Sequence, residues 1–381
     1  MDCKARINEF QVQLQEKGIV GAFVSRRGGM AFFTNSFIPW RSALYIPAQG
    51  DDIELITLDV DIVRVKQDYE QENVRLWRFG SKKTNCDCII DVIKERNIGR
   101  EKVGFELAAG ENVGVLSATE YLQITGEYPE LQIENIMPIV DAMMVPKTKE
   151  ELDLLYRAAE AADMGMKMAL EKIEVGISEV ELAGWAELGA RKGGHQFNWC
   201  TTGTEVGSGL HNKVHFTCRP NTKKIQHGDL VTIDIHTMYE LYISDFCMNV
   251  VMGQPTPEQK QLGDEYKILA DYLLSLMKTG AVCKDISNAM MKKAEEMGVA
   301  EYVLDYFSHG LGLEARTNPV INDENEFVLQ DNMTATAILL IMKPDVGGMR
   351  LELPVQITKD GAVPLCKVPY GLTIIDDGFE Q

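Results

Sequence analysis

Two aspartates in one stretch of the chain constrain its fold most strongly. Asp234 and Asp245 lie eleven residues apart, in a stretch that begins at Gly228 and includes a tyrosine between them. Two strands of a hairpin can place two such carboxylates side by side. Paired carboxylates repel each other, so they need a cation or a shared proton. The stretch therefore predicts a hairpin that carries an acidic site.

The 381 residues divide into two dissimilar halves. Short apolar runs alternate with helical patterns in the first half, which predicts a sheet flanked by helices. Pro146 marks a break, because proline disfavours the continuation of the preceding element. Thr148 then opens a helical pattern with two acidic residues in its first turn. We predict an α/β (α+β) chain with domains at 1–145 and 146–381. The predicted helices cover 4–18, 86–96, 112–121, 149–172, 178–192, 257–279 and 284–297, and a predicted strand covers 102–106.

Composition excludes several classes of function. Lys and Arg total 38 against 57 for Asp and Glu, which gives a formal charge of −19 and a pI near 4.8. This acidity argues against nucleic acid and against an anionic membrane surface as partners. No apolar run approaches the length of a transmembrane helix, and the charged amino terminus does not resemble a signal peptide. The eight scattered cysteines favour free thiols in the cytoplasm.

Two further motifs follow the aspartate pair. His309 lies in an H-G-L-G-L segment, and the later segment 347–352 ends in Arg350-Leu351-Glu352. In this order and at these intervals, the motifs resemble the creatinase / prolidase / methionine aminopeptidase family, whose catalytic domain has the pita-bread fold. The resemblance covers essentially the whole chain. The segment 146–151 is similar to the family's entry into the catalytic domain, 176–179 to its G-x-x-E turn, and the first half to a creatinase-type amino-terminal domain.

The resemblance implies four metal ligands. They are Asp234, Asp245, His309 and Glu352. In metal-binding members of the family, such residues chelate two divalent ions that polarise the scissile carbonyl and activate a bridging water. Oxygen-rich ligation with one imidazole suits Mn, Fe, Co or Zn. We therefore expect one or two divalent ions in this chain.

Three positions depart from the family pattern. The family's remaining ligand is a glutamate about fourteen residues before Glu352, and the corresponding segment 333–342 contains no carboxylate. The family's later histidine–glutamate pair is replaced by Arg316 and a threonine. The glycine two residues after the first aspartate is His236.

His236 is a candidate replacement ligand, because residues 234 and 236 of a strand point to the same face. The dimethylsulfoniopropionate-lyase branch of the family also places an extra ligand in this neighbourhood. The competing role, which is the commoner one for a lone histidine on a strand, is that His236 fills space or bonds a backbone carbonyl.

These departures leave several functions open. His211 matches the chain position of the histidine that creatinases use as a base without metal, and imidazole transfers protons well near neutral pH. The retained aspartates, and Cys247 in place of a creatinase glutamate, argue against a creatinase proper. An Xaa-Pro dipeptidase with an altered metal site, a dimethylsulfoniopropionate-lyase-like enzyme and a catalytically inactive binding module all fit the motifs. The motifs do not separate hydrolysis from elimination.

Cationic residues suggest the class of substrate. In creatinases, an arginine that matches Arg41 reaches into the partner subunit's site and binds the substrate carboxylate, which a guanidinium can do with two parallel hydrogen bonds. We therefore predict a homodimer in which Arg41 and Trp40 bind substrate and Arg316 supplies a second positive group. A surface salt bridge is the competing role for Arg41. Trp199 could offer an aromatic face to a quaternary ammonium or sulfonium, although core packing is the commoner role of such a residue.

Taken together, these features predict a cytoplasmic metal-dependent hydrolase. Its substrate would be a small charged metabolite with a C–N or similarly activated bond. We predict His211 as acid and base and Arg316 as a further catalytic residue. Asp234, Asp245, His309, Glu352 and His236 would hold the metal.

Overall fold

The computed structural model describes residues 2–38, 40–69, 74–107, 116–196, 203–214 and 218–378. The chain divides into two units, Met1–Met144 and Val145–Gln381. Trp199 lies outside the described residues, and so do residues 112–115 of one predicted helix.

The first unit contains one mixed sheet and its helices. The strands are β1 (Gly21–Val24), β2 (Ala43–Pro47), β3 (Ile53–Leu58), β4 (Val74–Phe79), β5 (Lys102–Phe105) and β6 (Gln132–Asn135). Their order in the sheet is β4-β3-β2-β1-β5-β6. The helices are α1 (Cys3–Glu16), α2 (Arg27–Thr34), α3 (Ile62–Asp68), α4 (Asn85–Glu95), α5 (Ala118–Glu127) and α6 (Met137–Met144). The predicted sheet with flanking helices is confirmed.

Side-chain caps fix where these helices begin. The Ser117 hydroxyl accepts a hydrogen bond from the Glu120 amide at 3.3 Å, and the Glu120 carboxylate accepts one from the Ser117 amide at 2.8 Å. This reciprocal pair satisfies amides at the helix start, so α5 begins at Ala118. The predicted helix at 112–121 was therefore placed six residues too early.

The second unit contains a nine-stranded sheet and five helices among its described residues. The strands are β7 (Glu205–Ser208), β8 (Leu230–Tyr239), β9 (Tyr242–Met252), β10 (Ser308–Leu311), β11 (Ala315–Ile321), β12 (Thr334–Lys343), β13 (Gly347–Ile357), β14 (Ala362–Pro364) and β15 (Leu372–Ile375). The main path is β11-β10-β12-β13-β9-β8-β7, with β14 beside β13 and β15 beside β9. The helices are α7 (Lys149–Lys172), α8 (Glu179–Lys192), α9 (Leu210–Val214), α10 (Pro257–Leu276) and α11 (Cys283–Glu296).

Two glycines let α7 and α8 approach each other closely. A Cβ on Gly189 would lie 2.5 Å from the Met164 carbonyl oxygen, and one on Gly165 would lie 2.9 Å from the Ala186 carbonyl oxygen. Both distances are too short for any side chain, so glycine is required at this contact. Helix α7 in turn packs against β8 and β9. The pair of helices therefore supports the strands that carry the aspartates.

One row of residues crosses five neighbouring strands of this sheet. Directly opposed residues of antiparallel strands point to the same face. Counted from β7 to β12, the row consists of Glu205, Asp234, Cys247, Glu352 and Ile338. Next to it on that face, His236 pairs directly with Asp245. The register therefore gathers side chains from segments that lie far apart in the sequence.

Candidate metal centre

The hairpin predicted for the two aspartates is present. Strands β8 and β9 pair antiparallel along their whole length, and Glu240 and Leu241 form the turn between them. Both turn residues have positive φ, 43° and 74°, as a two-residue type I′ turn requires. This turn fixes the register that brings Asp245 opposite His236.

Four buried side chains converge on this hairpin and its neighbour β13. They are Asp234, His236, Asp245 and Glu352, and each offers one ligand atom within 4.8 Å of the others. Oδ1 of Asp234 and Oδ1 of Asp245 are buried and accept no hydrogen bond within the described part of the chain. Buried carboxylate oxygens without donors are costly, and carboxylate oxygen with imidazole nitrogen suits a divalent transition-metal ion. The residues present therefore fit a metal ion.

His236 is oriented by a backbone carbonyl. Its Nδ1 lies 3.2 Å from the Gly203 carbonyl oxygen, and its Nε2 lies 3.2 Å from Oδ1 of Asp245. A carbonyl oxygen only accepts hydrogen bonds, so Nδ1 carries a proton, and Nε2 is the ring nitrogen that faces the acidic group. Metal-binding histidines are commonly oriented in this way. The two interpretations of His236 are thus compatible, because one ring nitrogen bonds a carbonyl and the other faces the centre.

Arg350 is a buried cation within the acidic group. Its guanidinium contacts the Asp234 carboxylate, lies 3.0 Å from Oε2 of Glu352 and lies 3.2 Å from Oε2 of Glu205. Asn249 holds the same residue, since it accepts from the Arg350 amide at 3.0 Å and donates to the Arg350 carbonyl at 2.8 Å. The sequence-based interpretation included Arg350 only as part of a motif and missed Glu205. The spacing of Arg350 and Glu352 on one strand was the available signal.

The carboxylates of the centre differ in how readily they ionise. Burial raises the pKa of Asp234 to about 6, although the Arg350 guanidinium acts in the opposite direction. Burial also raises the pKa of Glu352 well above its usual value, again against the effect of Arg350. Burial acts in the same direction on Asp245, but His236 and His309 outweigh it and hold the pKa of Asp245 well below its usual value. Asp245 is therefore the most readily ionised of the three.

His309 lies at the other side of Asp245. Its Nε2 is 3.5 Å from Oδ2 of Asp245, and it falls outside the group of four converging side chains. The Thr336 hydroxyl is 3.4 Å from the same oxygen. The place of the family's remaining glutamate, fourteen residues before Glu352, is Ile338, which lies directly opposite Glu352 and is buried. The lost ligand position thus belongs to the centre and carries an apolar side chain.

His211 lies on α9 and is bound by a buried glutamate. Its Nδ1 is 3.1 Å from each carboxylate oxygen of Glu179. Oε1 of Glu179 also accepts hydrogen bonds from the amide and the hydroxyl of Ser208, at 3.0 and 2.8 Å. The next residue, Asn212, bonds the Thr232 hydroxyl of β8 at 2.7 Å. The structure thus places His211 near the strand of Asp234 but outside the four-residue group.

The remaining predicted residues fall in two places. Arg316 follows the His309 segment, is exposed, and donates its amide to Nδ1 of His309 at 3.4 Å. Arg41 and Trp40 belong to the first unit, where both are about half exposed. Arg41 forms an ion pair with Glu120. The structure therefore brings Arg316 beside His309 and places Arg41 in a salt bridge.

Comparison with known proteins identifies the family. Residues 153–359 match metallopeptidase family M24, and residues 6–143 match the creatinase/prolidase N-terminal domain. The chain therefore belongs to metallopeptidase family M24 and is a hydrolase. The expectation of a divalent metal cofactor is confirmed by this family and by the buried four-residue group.

Individual relatives are similar along nearly their whole length. An Xaa-Pro dipeptidase of Pyrococcus furiosus is 26% identical over 364 residues, which cover 96% of this chain and 98% of that protein. An Xaa-Pro dipeptidase of Lactobacillus delbrueckii subsp. lactis is 25% identical over 377 residues, which cover 97% and 98%. A prolidase structure from Thermococcus sibiricus superposes with a TM-score of 0.86 at 24% identity, covering 98% of this chain and 99% of that one. That likeness confirms the pita-bread fold. Among the described residues, no helix is both long and apolar enough to span a membrane.

Proposed function

We propose that this protein is a metal-dependent hydrolase that cleaves a C–N bond in a small substrate with a free carboxylate. Xaa-Pro dipeptides are the first substrate class to test. The observation that carries the proposal is the buried group of three carboxylates and His236, with two carboxylate oxygens that accept no hydrogen bond among the described residues. The full-length similarity to proteins named Xaa-Pro dipeptidase supports the substrate class.

The ligands in this proposal are Asp234, His236, Asp245 and Glu352, with His309 beside them. A divalent ion at these residues would supply a Lewis acid for the scissile carbonyl. Burial of all four side chains excludes water from around them, which strengthens electrostatic interactions within the centre.

His211 is the acid and base of the proposal. Glu179 binds its Nδ1 through both carboxylate oxygens, and we assign the exchange of a proton with the substrate to Nε2. Glu179 is fully buried, so the carboxylate that holds the imidazole is itself fixed in place.

The cationic residues Arg316 and Arg41 are the proposed anchors for the substrate carboxylate. Arg316 lies next to His309 and is exposed. Arg41, with Trp40, would act across a homodimer in the cytoplasm, which requires Arg41 to leave its ion pair with Glu120.

A small charged metabolite is the second candidate substrate. Two changes from the family pattern favour it. Arg316 replaces a histidine, and Ile338 replaces a metal-binding glutamate, so two groups that look central to peptide hydrolysis in relatives are absent from these positions. Betaines, guanidino acids and sulfonium acids carry the charges that such a site would select.

The test is an activity assay on chelator-treated protein reloaded with Mn²⁺ or Co²⁺. We expect hydrolysis of Xaa-Pro dipeptides, and a loss of at least about a hundredfold in the Asp245→Asn variant, because Lewis-acid stabilisation contributes several kcal/mol. Asp264→Asn, an exposed change on α10, is the matched control and should keep full activity. Turnover of a betaine, guanidino acid or sulfonium acid in place of any dipeptide would establish the second candidate. No turnover of either class would refute the proposal in favour of a binding module.

A further inference from the structure

The two imidazoles of the centre face different oxygens of one carboxylate. Nε2 of His236 is 3.2 Å from Oδ1 of Asp245, whereas Nε2 of His309 is 3.5 Å from Oδ2. The centre therefore has two sides. We call the group of Asp234, His236, Oδ1 of Asp245 and Glu352 the His236 side. We call the group of His309, Oδ2 of Asp245, Thr336 and Ile338 the His309 side.

The His236 side has the properties of a complete ligand set. Each of its four residues offers one ligand atom within 4.8 Å of those of the other three. Two of its oxygens, Oδ1 of Asp234 and Oδ1 of Asp245, are buried and accept no hydrogen bond among the described residues. Because the Gly203 carbonyl fixes a proton on Nδ1, Nε2 is the nitrogen that His236 turns towards the centre and that a metal would bind.

The His309 side lacks these properties. The carboxylate oxygen that we assign to it, Oδ2 of Asp245, is approached by the Thr336 hydroxyl at 3.4 Å. Nδ1 of His309 lies 3.1 Å from the Gly310 carbonyl, which requires a proton there, and 3.4 Å from the Arg316 amide, which requires a lone pair. The tautomer of His309 is therefore not fixed by its neighbours as that of His236 is.

Ile338 removes the ligand that the His309 side would need. It is the register partner of Glu352 and is 1% exposed. An aliphatic side chain at this position offers no lone pair, and it fills space that would otherwise admit water as a substitute ligand. The missing oxygen therefore cannot be replaced from this position.

From these observations we propose that the centre holds one divalent ion, on the His236 side, and that a second ion is excluded because Ile338 stands where its carboxylate ligand would be. The proposal rests on the metal dependence stated under the proposed function and differs from the two-ion centre that the family resemblance implies. It assigns His236 as a full ligand of the single ion. It places His309 at the second metal position, which holds no ion in this proposal.

The test counts metal ions per chain rather than activity. Chelator-treated full-length protein is reloaded with Mn²⁺ and desalted, and the bound ions are counted by native mass spectrometry. Electron paramagnetic resonance then distinguishes a single Mn²⁺ from a coupled pair. We expect one ion in the wild-type protein and one in His309→Ala. In His236→Ala we expect the affinity for Mn²⁺ to fall at least about tenfold. Loss of an outer-shell partner already costs about that much, and loss of a direct ligand should cost no less.

Ile338→Glu is the gain-of-function variant. It restores a carboxylate opposite Glu352, so the count should rise from one ion to two, with the spectrum of a coupled pair. Ile338→Gln is its matched control, because glutamine has nearly the same shape as glutamate but no charge. The number of bound ions should stay at one in this variant. If Ile338→Glu fails to fold, the counts for the wild-type protein, His309→Ala and His236→Ala still decide the question.

Two ions in the wild-type protein would overturn the proposal. So would loss of the ion in His309→Ala together with its retention in His236→Ala. These outcomes are distinct from failure of the proposed function. A protein that binds one ion and hydrolyses nothing retains the single-ion centre but loses the proposed activity, and a protein that binds two ions and cleaves dipeptides shows the reverse. Absence of any ion overturns both.

Discussion

Both units bury an arginine among carboxylates, but the balance of charge differs. In the first unit, Nε of Arg26 lies 3.4 Å from Oε1 of Glu106, and the guanidinium also contacts Asp141. Oε2 of Glu106 accepts hydrogen bonds from the backbone amides of Ser25 and Arg26, at 2.7 and 2.6 Å. Two backbone amides therefore bind one oxygen of Glu106, and the Arg26 guanidinium faces two carboxylates.

The Arg350 group of the second unit carries more acid than its cation balances. One guanidinium contacts Asp234, Glu352 and Glu205, and Asp245 lies beside them with two histidines. A buried ionised group is costly unless it is paired. The larger surplus of acid in the second unit is the pattern expected where function is retained at a cost in stability. The contrast teaches that the surplus, rather than burial of charge as such, marks the metal centre.

The largest loss of stability is expected from removing the cation of the first unit's buried group, Arg26. Arg26→Met leaves buried Glu106 without its cation, and loss of one member of a buried pair costs about 3–5 kcal/mol. The free energy of unfolding in urea measures this loss, and added Mn²⁺ should not restore it. Arg100→Met is the control, because Arg100 and Glu130 form an exposed pair worth about 0–1 kcal/mol. Equal losses in the two variants would contradict the comparison.

The next largest effect is stabilisation of the folded protein by metal bound at the Arg350 group. Since an ion at the centre binds the folded state, Mn²⁺ at a hundred times its Kd should raise the free energy of unfolding by about 2.7 kcal/mol. The measurement is urea unfolding of chelator-treated and Mn²⁺-loaded protein. The increase should persist in Arg26→Met and be lost in Asp245→Asn. An undiminished increase in Asp245→Asn would place the ion elsewhere in the protein.

A smaller loss of stability is expected from changing a buried, hydrogen-bonded carboxylate of the second unit. Glu179 is fully buried, and Ser208 and His211 surround it with donors. Glu179→Gln turns an amide NH₂ towards those donors, and an unsatisfied buried polar group costs about 1–3 kcal/mol. Urea unfolding measures the loss, and the number of bound Mn²⁺ ions should not change.

Glu181→Gln is the control for that prediction. Glutamine also serves at this third helical position of a capping box, so stability should hardly change. A change in the number of bound Mn²⁺ ions in Glu179→Gln would show that Glu179 belongs to the acidic group that holds the metal.

Local patterns made much of the fold predictable. The helix predicted over 149–172 matches α7, since the Thr148 cap and the apolar spacing agree there. Helix α5 was misplaced, although Ser117 and Glu120 already had the capping-box spacing. The hairpin of β8 and β9 was predicted from the eleven-residue spacing of the two aspartates, which lie on its adjacent strands.

The rest of the centre depends on contacts that no local pattern contains. Glu205 and Arg350 are 145 residues apart and meet only because the strand register aligns β7, β8, β9 and β13. The segment 333–342 visibly lacked a carboxylate, but only its pairing with β13 identifies Ile338 as the residue opposite Glu352. The bond from His236 to the Gly203 carbonyl likewise required the three-dimensional structure.

A small effect on stability is expected at Arg41, a predicted substrate-binding residue whose charge is exposed. Its guanidinium is about half exposed in its ion pair with Glu120, so Arg41→Ala should change the free energy of unfolding by no more than about 1 kcal/mol. The informative measurement is steady-state kinetics with a substrate that the enzyme is shown to turn over. If Arg41 binds the substrate carboxylate, KM should rise at least about tenfold, since hydrogen bonds to charged groups contribute about 1.5–3 kcal/mol. Arg100→Ala, also at an exposed ion pair but outside the predicted loop, should leave KM unchanged. An unchanged KM in Arg41→Ala would leave Arg41 as a surface ion pair, and would assign selection for a carboxylate to the second unit, where Arg316 lies beside His309.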